Sequence, residues 1–329
     1  LAVKNLKESF VAFMKEIQAL IADTMLEMEG QMHALIKSDA HLLQRINHYV
    51  FQAPGKQLRP MLVLLAAGAC GGITPRSLRG AILVQLLHQA SLAHDDVVDE
   101  ATHRRNRPTI NTVWNNKLAV LFGDYLLTKI LHLAIQHQDH DLLALITTTI
   151  QAMSEGELLQ LTQVHTLDTT EAVYLDIIHK KTAHLFGTCL ALGAMTAGAS
   201  TIQMTSLRQV GEQLGMAFQL KDDWLDYGTE KMGKPLGMDL KDGKLTLPLI
   251  HALQQATPRK REKILHTFGH SRHHPQQQEE VLAFVRQSSG MDYTQKLMLQ
   301  CQQKSLQTLA NTVTSPYQEA LCMLIQHTI

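Results

Sequence analysis

Leu78-Arg79-Gly80-Ala81-Ile82-Leu83-Val84-Gln85-Leu86-Leu87-His88-Gln89-Ala90-Ser91-Leu92-Ala93-His94-Asp95-Asp96-Val97-Val98-Asp99 repeats apolar residues at three- and four-residue intervals and ends in three aspartates. That spacing predicts a helix. From Ala81 to Leu92 it is apolar nearly all round, which places it at the centre of a large bundle. Thr74-Pro75 marks its start, a capping hydroxyl before a proline at the first helical position. Asp95 and Asp99 lie one turn apart on a shared face, with Asp96 beside them. Three carboxylates so close repel one another, and the dipole at a helix C-terminus disfavours them further. A single cluster of this kind is compatible with a solvated helix end. The pattern recurs, however, at Asp222-Asp223-Trp224-Leu225-Asp226, with Gly228 available to end that helix. Two such clusters need a compensating cation.

The rest of the chain is also helical in pattern. His184 to Ala197 is a second helix apolar all round, in which Gly193, Ala194 and Ala197 allow close helix approach or leave room for a ligand. Aromatic residues are only 5%, and the nine prolines sit mostly at helix starts or in connectors, as in Thr257-Pro258 and Ser315-Pro316. Ser315 with Gln318 forms a capping-box pattern. Strand-like alternation is hard to find, and no composition break divides the chain. One all-α domain over residues 1–329 is expected.

Lys+Arg and Asp+Glu are equal at 30 each, which removes the electrostatic case for nucleic-acid binding. Cys70, Cys189, Cys301 and Cys322 are scattered without a C-x-x-C pair, as in a reducing compartment. Leu1 to Glu16 alternates charged and apolar groups and reads as helix, not as a secretory signal. Pro60 to Ile73 and Leu185 to Ala199 fall short of a membrane span. A cytoplasmic protein without stable membrane insertion is expected. His270-Ser271-Arg272-His273-His274 reads as a solvated loop more readily than as a metal site.

Clustered carboxylate oxygens suit hard cations, Mg²⁺ above all, and Mg²⁺ completes its shell with water and phosphate oxygens. A phosphorylated ligand is therefore the natural partner. Basic residues lie close in sequence: Arg104, Arg105 and Arg107 follow the first motif, and Lys56 and Arg59 occupy Gly55-Lys56-Gln57-Leu58-Arg59-Pro60 at the start of a helix. Lys180, Lys181, Lys234 and Lys244 punctuate the second half. Arginine offers forked donors to phosphate oxygens and lysine a point charge.

With these motifs in order, the sequence resembles the all-trans isoprenyl diphosphate synthases, the polyprenyl synthetase family, from about Gln44 to Leu253. The resemblance rests on Gly55 to Pro60, on Leu87 to Asp99 followed by Arg104-Arg105, and on Gly123-Asp124-Tyr125-Leu126. It continues in Gly156-Glu157-Leu158-Leu159-Gln160, Lys181-Thr182, Phe218 to Asp223, and Gly233-Lys234-Pro235-Leu236-Gly237-Met238-Asp239-Leu240, ending in Gly243 to Pro248. It implies an all-α isoprenoid-synthase bundle around a central cavity, and a homodimer. Asp95, Asp96, Asp99, Asp222, Asp223 and Asp226 would hold three Mg²⁺ ions. Arg104, Lys181 and Lys234, with Gln219 and Lys244, would hold an allylic diphosphate such as farnesyl or geranyl diphosphate. Lys56, Arg59, His88 and Arg105 would bind isopentenyl diphosphate. Asp95, Asp96, Asp99, Arg104, Lys181, Asp222 and Asp223 would carry the catalysis. Pro54, Gln57 and Asn106 depart from the family pattern, the last where glycine is common, and none removes a charged group.

Ala90 and Ser91 are expected to govern product length. Ala90 lies about 7.5 Å below Asp95 along the helix, where short-product members of the family carry a bulky aromatic. Both residues are small here, and Leu87, Leu86 and Leu83 come next on that face. A long-chain product in the heptaprenyl to octaprenyl range is expected, for a quinone side chain. The competing readings are a geranylgeranyl diphosphate synthase, a terpene cyclase and a non-catalytic subunit of a heteromeric synthase. Cyclases usually replace the second motif, and non-catalytic subunits tend to lose one, whereas both motifs are complete here. Replacing Ala90 with Phe or Tyr should shorten the product to farnesyl or geranylgeranyl diphosphate. An unchanged product chromatogram would overturn the placement of the growing chain along this helix.

Overall fold

A computed structural model describes residues 2–52, 55–104, 106–228, 236–271, 274–312 and 315–329. Among these run sixteen α-helices and one two-stranded hairpin, the all-α architecture that the periodicity predicts. The chain divides into two compact units. One comprises Leu1–Ile150, Thr188–Arg208 and Thr312–Met323, the other Gln151–Gly187, Gln209–Asn311 and Leu324–Ile329.

In the first unit, α1 (Ala2–Leu35), α2 (His41–Phe51), α3 (Leu58–Cys70) and α4 (Pro75–Val98) lead to a hairpin. Its strands are β1 (His103–Arg104) and β2 (Arg107–Pro108), and α5 (Ile110–Val113) and α6 (Asn116–Gln136) follow. Helix α4 packs against α1, α3, α5 and α6. Every residue from Ala81 to Leu87 is buried, so the helix predicted to be central is central to its unit. Thr74 starts it with a reciprocal cap: its hydroxyl accepts from Ser77 N at 3.2 Å, and the Ser77 hydroxyl accepts from Thr74 N at 3.1 Å. Ser315 likewise accepts from Gln318 N at 3.2 Å. Thr257, by contrast, begins its helix without a side-chain cap. Gly193 serves packing and not a ligand, because a Cβ there would lie 2.3 Å from the Val63 carbonyl oxygen.

Helix α6 is long and apolar enough to cross a membrane. The apolar stretches singled out from the sequence did not include it. Gly123-Asp124 and Thr128-Lys129 interrupt its apolar run, and only one side of the helix is buried.

The second unit draws on α7 (His140–Thr166), α8 (Glu171–Ile178), α9 (His184–Thr196) and α10 (Thr201–Asp226), of which α7, α9 and α10 also contribute to the first. It continues through α11 (Met238–Asp242), α12 (Leu247–Gln254), α13 (Pro258–His270), α14 (Pro275–Arg286) and α15 (Gly290–Ala310), and α16 (Pro316–Thr328) closes the chain. Its core joins Tyr174, Leu220, Tyr227, Leu247, Phe268 and Val281. Between α8 and α9 the chain widens into one π turn, His179–Ala183. In the histidine-rich stretch, His270 Nδ1 sits 2.8 Å from the His266 carbonyl oxygen, while Arg272 and His273 lie outside the described residues.

A buried ion cluster fixes the start of α4 to the start of α7 within the first unit. Asp139, 4% exposed, accepts from Arg79 Nε at 2.6 Å and from Arg76 Nε at 3.1 Å. Burial alone would raise its pKa, but the hydrogen bonds and charges of Arg79 and Arg76 outweigh burial and hold it below the ordinary carboxylate range. A depressed carboxyl pKa stabilises the fold above the unfolded value, and this contribution is lost as pH falls through the folded one. Asp139→Asn should therefore lower the unfolding free energy by about 1–3 kcal/mol at pH 7. The deficit should shrink below roughly pH 4, as read by urea unfolding at both pH values.

Candidate active site

The first aspartate motif closes α4. Asp95 and Asp96 stand in its last turn and Asp99 caps it, donating its N–H to the Asp95 carbonyl oxygen at 2.8 Å. Asp95 and Asp99 are half-buried and Asp96 is 5% exposed. The β1–β2 hairpin folds back so that Arg104 meets Asp96 Oδ1 with both Nε and Nη2, each at 2.8 Å. The hairpin turn requires Asn106 at φ 61°, a left-handed conformation that glycine and asparagine tolerate best. That accounts for asparagine in a place where glycine is common. Burial raises the Asp96 pKa, outweighing the hydrogen bond and charge of Arg104, and Asp99 adds to the rise.

Beside this pair lies a cavity of about 120 Å³ lined by Tyr49, Gln89, Asp96, Arg104, Arg107 and Thr109 among others. Arg107 stacks over the Tyr49 ring at 4.4 Å. Arg59, in the first turn of α3, sits 3.0 Å from His88 Nε2 on α4 through its Nη1, so two of the predicted isopentenyl diphosphate ligands do come together. Lys56 is exposed in the turn before α3. Arg105 lies outside the described residues.

The second motif ends α10 and is held differently. Asp223, 4% exposed, accepts from the Tyr174 hydroxyl at Oδ2 and from Gln219 Nε2 at Oδ1, 2.8 Å away. The Gln219 carbonyl oxygen in turn accepts from the Thr182 hydroxyl at 2.9 Å. Asp226 receives the N–H groups of Met238 and Asp239, each at 3.0 Å, and so anchors the start of α11. Asp222 is exposed. Burial raises Asp223 to about 7, against the hydrogen bonds from Tyr174 and Gln219, and Asp222 and Asp226 push it further up. Asp239 is raised by burial and by Asp223 and Asp226, while Lys244 pulls it down.

Lys181 stands in the π turn, ion-paired with Glu157 of α7. Gly156 makes that approach possible, because a Cβ there would lie 2.9 Å from Lys180 Cβ and 3.0 Å from Lys181 N. Lys181, Thr182, Gln219, Asp222, Asp223, Asp239 and Lys244 share the wall of a cavity of about 180 Å³. Lys244 also bonds Asp242 at 3.1 Å. Lys234, predicted for the same diphosphate, lies outside the described residues. Ala90 is 1% exposed, and the Ser91 hydroxyl turns back to the His88 carbonyl oxygen at 3.0 Å. Tyr174, Glu157 and Asp239 were not singled out from the sequence. Glu157 and Asp239 fall inside the family blocks, whereas nothing in the sequence marks Tyr174.

Among the described residues no three carboxylate, imidazole or thiol groups converge as a preformed metal cage. The donor set still fits a hard cation shared with a phosphorylated ligand. Beyond burial, Asp222 and Asp226 raise the pKa values of Asp223 and Asp239, and Asp223 raises that of Asp239, which is crowding that a divalent cation relieves. Mg²⁺ typically takes only one or two protein carboxylates beside substrate phosphates.

The profile of the polyprenyl synthetase family matches residues 40–285. The chain belongs to the polyprenyl synthetase family. An all-trans-nonaprenyl diphosphate synthase from Rhodobacter capsulatus, specific for geranyl diphosphate, is 38% identical over 320 residues, 95% of this chain and 97% of that one. A decaprenyl diphosphate synthase structure, also from Rhodobacter capsulatus, superposes with a TM-score of 0.91 at 32% identity, covering 96% of this chain and 98% of that one. A polyprenyl synthase from Caulobacter crescentus, complexed with calcium and isoprenyl diphosphate, gives 0.89 at 30% identity, covering 96% and 97%. The fold is the all-α isoprenoid-synthase fold of these neighbours.

The contact at Gly156 yields a direct test. Gly156→Val must push α7 from the π turn, because the atoms met include backbone. Overpacking of this kind costs about 1–3 kcal/mol in urea unfolding. The variant should also bind inorganic pyrophosphate with Mg²⁺ roughly tenfold more weakly, a loss of about 1.4 kcal/mol. Unchanged pyrophosphate affinity in calorimetry would show that the geometry at Gly156 has no part in anion binding.

Proposed function

We propose that this chain is a long-chain trans-polyprenyl diphosphate synthase, a prenyltransferase that adds isopentenyl diphosphate units to an allylic diphosphate. The observation that carries it is that both aspartate motifs stand complete at helix ends, each with basic side chains beside it: Arg104 at the first, Lys181 and Lys244 at the second. Long products are supported by small Ala90 and Ser91 on α4 and by the nonaprenyl and decaprenyl synthases among its relatives.

In this reading Asp95, Asp96, Asp99, Asp222, Asp223 and Asp226 hold Mg²⁺, three ions per site. Ions held there would supply Lewis-acid stabilisation of the negative charge that builds on the leaving diphosphate. Arg104, Lys181, Gln219, Lys234 and Lys244 hold the allylic diphosphate while its carbon–oxygen bond breaks and the electron pair leaves with the diphosphate. Lys56, Arg59, His88 and Arg105 hold isopentenyl diphosphate so that its double bond forms the new carbon–carbon bond. The proton then lost from the isopentenyl carbon passes to the released diphosphate. Apolar α4 side chains keep water from the allylic cation, which water would quench to an alcohol.

The whole chain works as a single isoprenoid-synthase domain in this reading, cytoplasmic, making the side chain of a quinone. It acts as a homodimer in this reading, and Leu121, Leu131 and Ile135 stand exposed on α6, at 62%, 44% and 59%. Incubation with farnesyl diphosphate, labelled isopentenyl diphosphate and Mg²⁺ should give products of seven or more isoprene units by mass analysis, and excess EDTA should abolish them. Products ending at geranylgeranyl diphosphate would replace the long-chain reading with the short-chain one. Turnover only after adding a second polypeptide would make the chain one component of a heteromeric synthase.

A further inference from the structure

The two aspartate motifs share one spacing, and in each the second aspartate is the buried one: Asp96 at 5% and Asp223 at 4% exposure. Their partners differ in charge. Asp96 is met by the guanidinium of Arg104, whereas the donors on Asp223 are neutral, the Tyr174 phenol and the Gln219 amide. Tyr174 itself is 3% exposed, on α8, 49 residues from Asp223 in sequence. Its ring belongs to the apolar core of the second unit with Ile178, Leu220 and Tyr227. A buried phenol requires a partner for its O–H, and the one it has is a carboxylate oxygen. Gln219 is oriented in turn, because the Thr182 hydroxyl donates to its carbonyl and directs its amide N–H toward Asp223. Each Asp223 oxygen is thus fixed by one neutral donor.

We propose that Tyr174 is a positioning residue for cation binding at the second aspartate motif: its hydroxyl holds Asp223 in the orientation that a divalent cation requires and adds no positive charge beside it. This rests on the metal-dependent reading given under Proposed function. Partners that orient a metal-ligating carboxylate typically change metal affinity 10- to 100-fold when removed. Tyr174→Phe keeps the ring in the core and deletes only the donor. No bond of the substrate is made or broken through the phenol, so its loss should act on the cation dependence and not on the chemical step.

The test compares the parent protein and Tyr174→Phe by calorimetric titration of Mg²⁺ in the presence of inorganic pyrophosphate, and by the Mg²⁺ dependence of turnover. The expected result is a 10- to 100-fold rise in the Mg²⁺ concentration needed for half-saturation in both measurements, with kcat at saturating Mg²⁺ within about threefold of the parent. In an Asp223→Asn background the Tyr174→Phe change should no longer shift Mg²⁺ binding, because its effect passes through that carboxylate; a purely structural role would persist there. Mg²⁺ half-saturation within twofold of the parent overturns the proposal. So does an equal shift with and without Asp223. If Tyr174→Phe does not fold, 3-fluorotyrosine at position 174 preserves shape and strengthens the donor. An altered Mg²⁺ half-saturation then supports the proposal and an unaltered one overturns it. If the parent protein shows no Mg²⁺- and pyrophosphate-dependent heat, the metal-dependent reading itself fails and the proposal with it. A parent that binds while the variant matches it removes the proposal alone.

Discussion

Carboxylates gathered at the C-terminal end of a buried apolar helix repel one another and the helix dipole together, and much of the local structure serves to hold them. On α4 the device is a cation. The hairpin after the helix turns tightly at Asn106 so that the forked guanidinium of Arg104 reaches Asp96. On α10 the buried aspartate is met by neutral donors. Tyr174 and Gln219 meet Asp223, and the backbone N–H groups at the start of α11 meet Asp226. Like motifs in the sequence therefore sit in unlike electrostatic surroundings. The buried aspartate of the first motif is met by a cation, and that of the second by two neutral donors.

The packing around these helix ends follows from the same requirement. Helix α4 is buried along its apolar length by α1, α3, α5 and α6, which leaves its aspartate end to the hairpin. In the second unit the π turn breaks the regular helical register between α8 and α9, and Gly156 lets α7 approach it closely enough for Glu157 to pair with Lys181. Such turns carry a side chain out of the spacing an α-helix allows, and they are frequent at functional sites. Here the turn sets Lys181 and Thr182 on the wall of the cavity that also holds Asp222 and Asp223. Thr182 bonds Gln219, so the orientation of the π turn and that of the second motif are linked through one side-chain amide.

The sequence by itself determined what depends on local spacing. Apolar periodicity defined α4 as a central helix, Thr74 and Pro75 defined where it starts, and the i to i+4 separation put Asp95 and Asp99 on one face, because helix geometry relates neighbours along a single chain segment. The ordered blocks did the same for the family. Tertiary structure alone decided which side chains meet those aspartates. Tyr174 lies 49 residues from Asp223, and no pattern around it sets it apart from any other core tyrosine. Glu157 stood inside a quoted block, yet its partner became visible only where α7 crosses the π turn. Gly193 could have served a ligand or a helix contact on sequence grounds, and the nearness of the Val63 carbonyl decided for packing. The physical reason is common to all three. Contacts between distant segments depend on how helices are brought together, and periodicity along one helix carries no record of its neighbour.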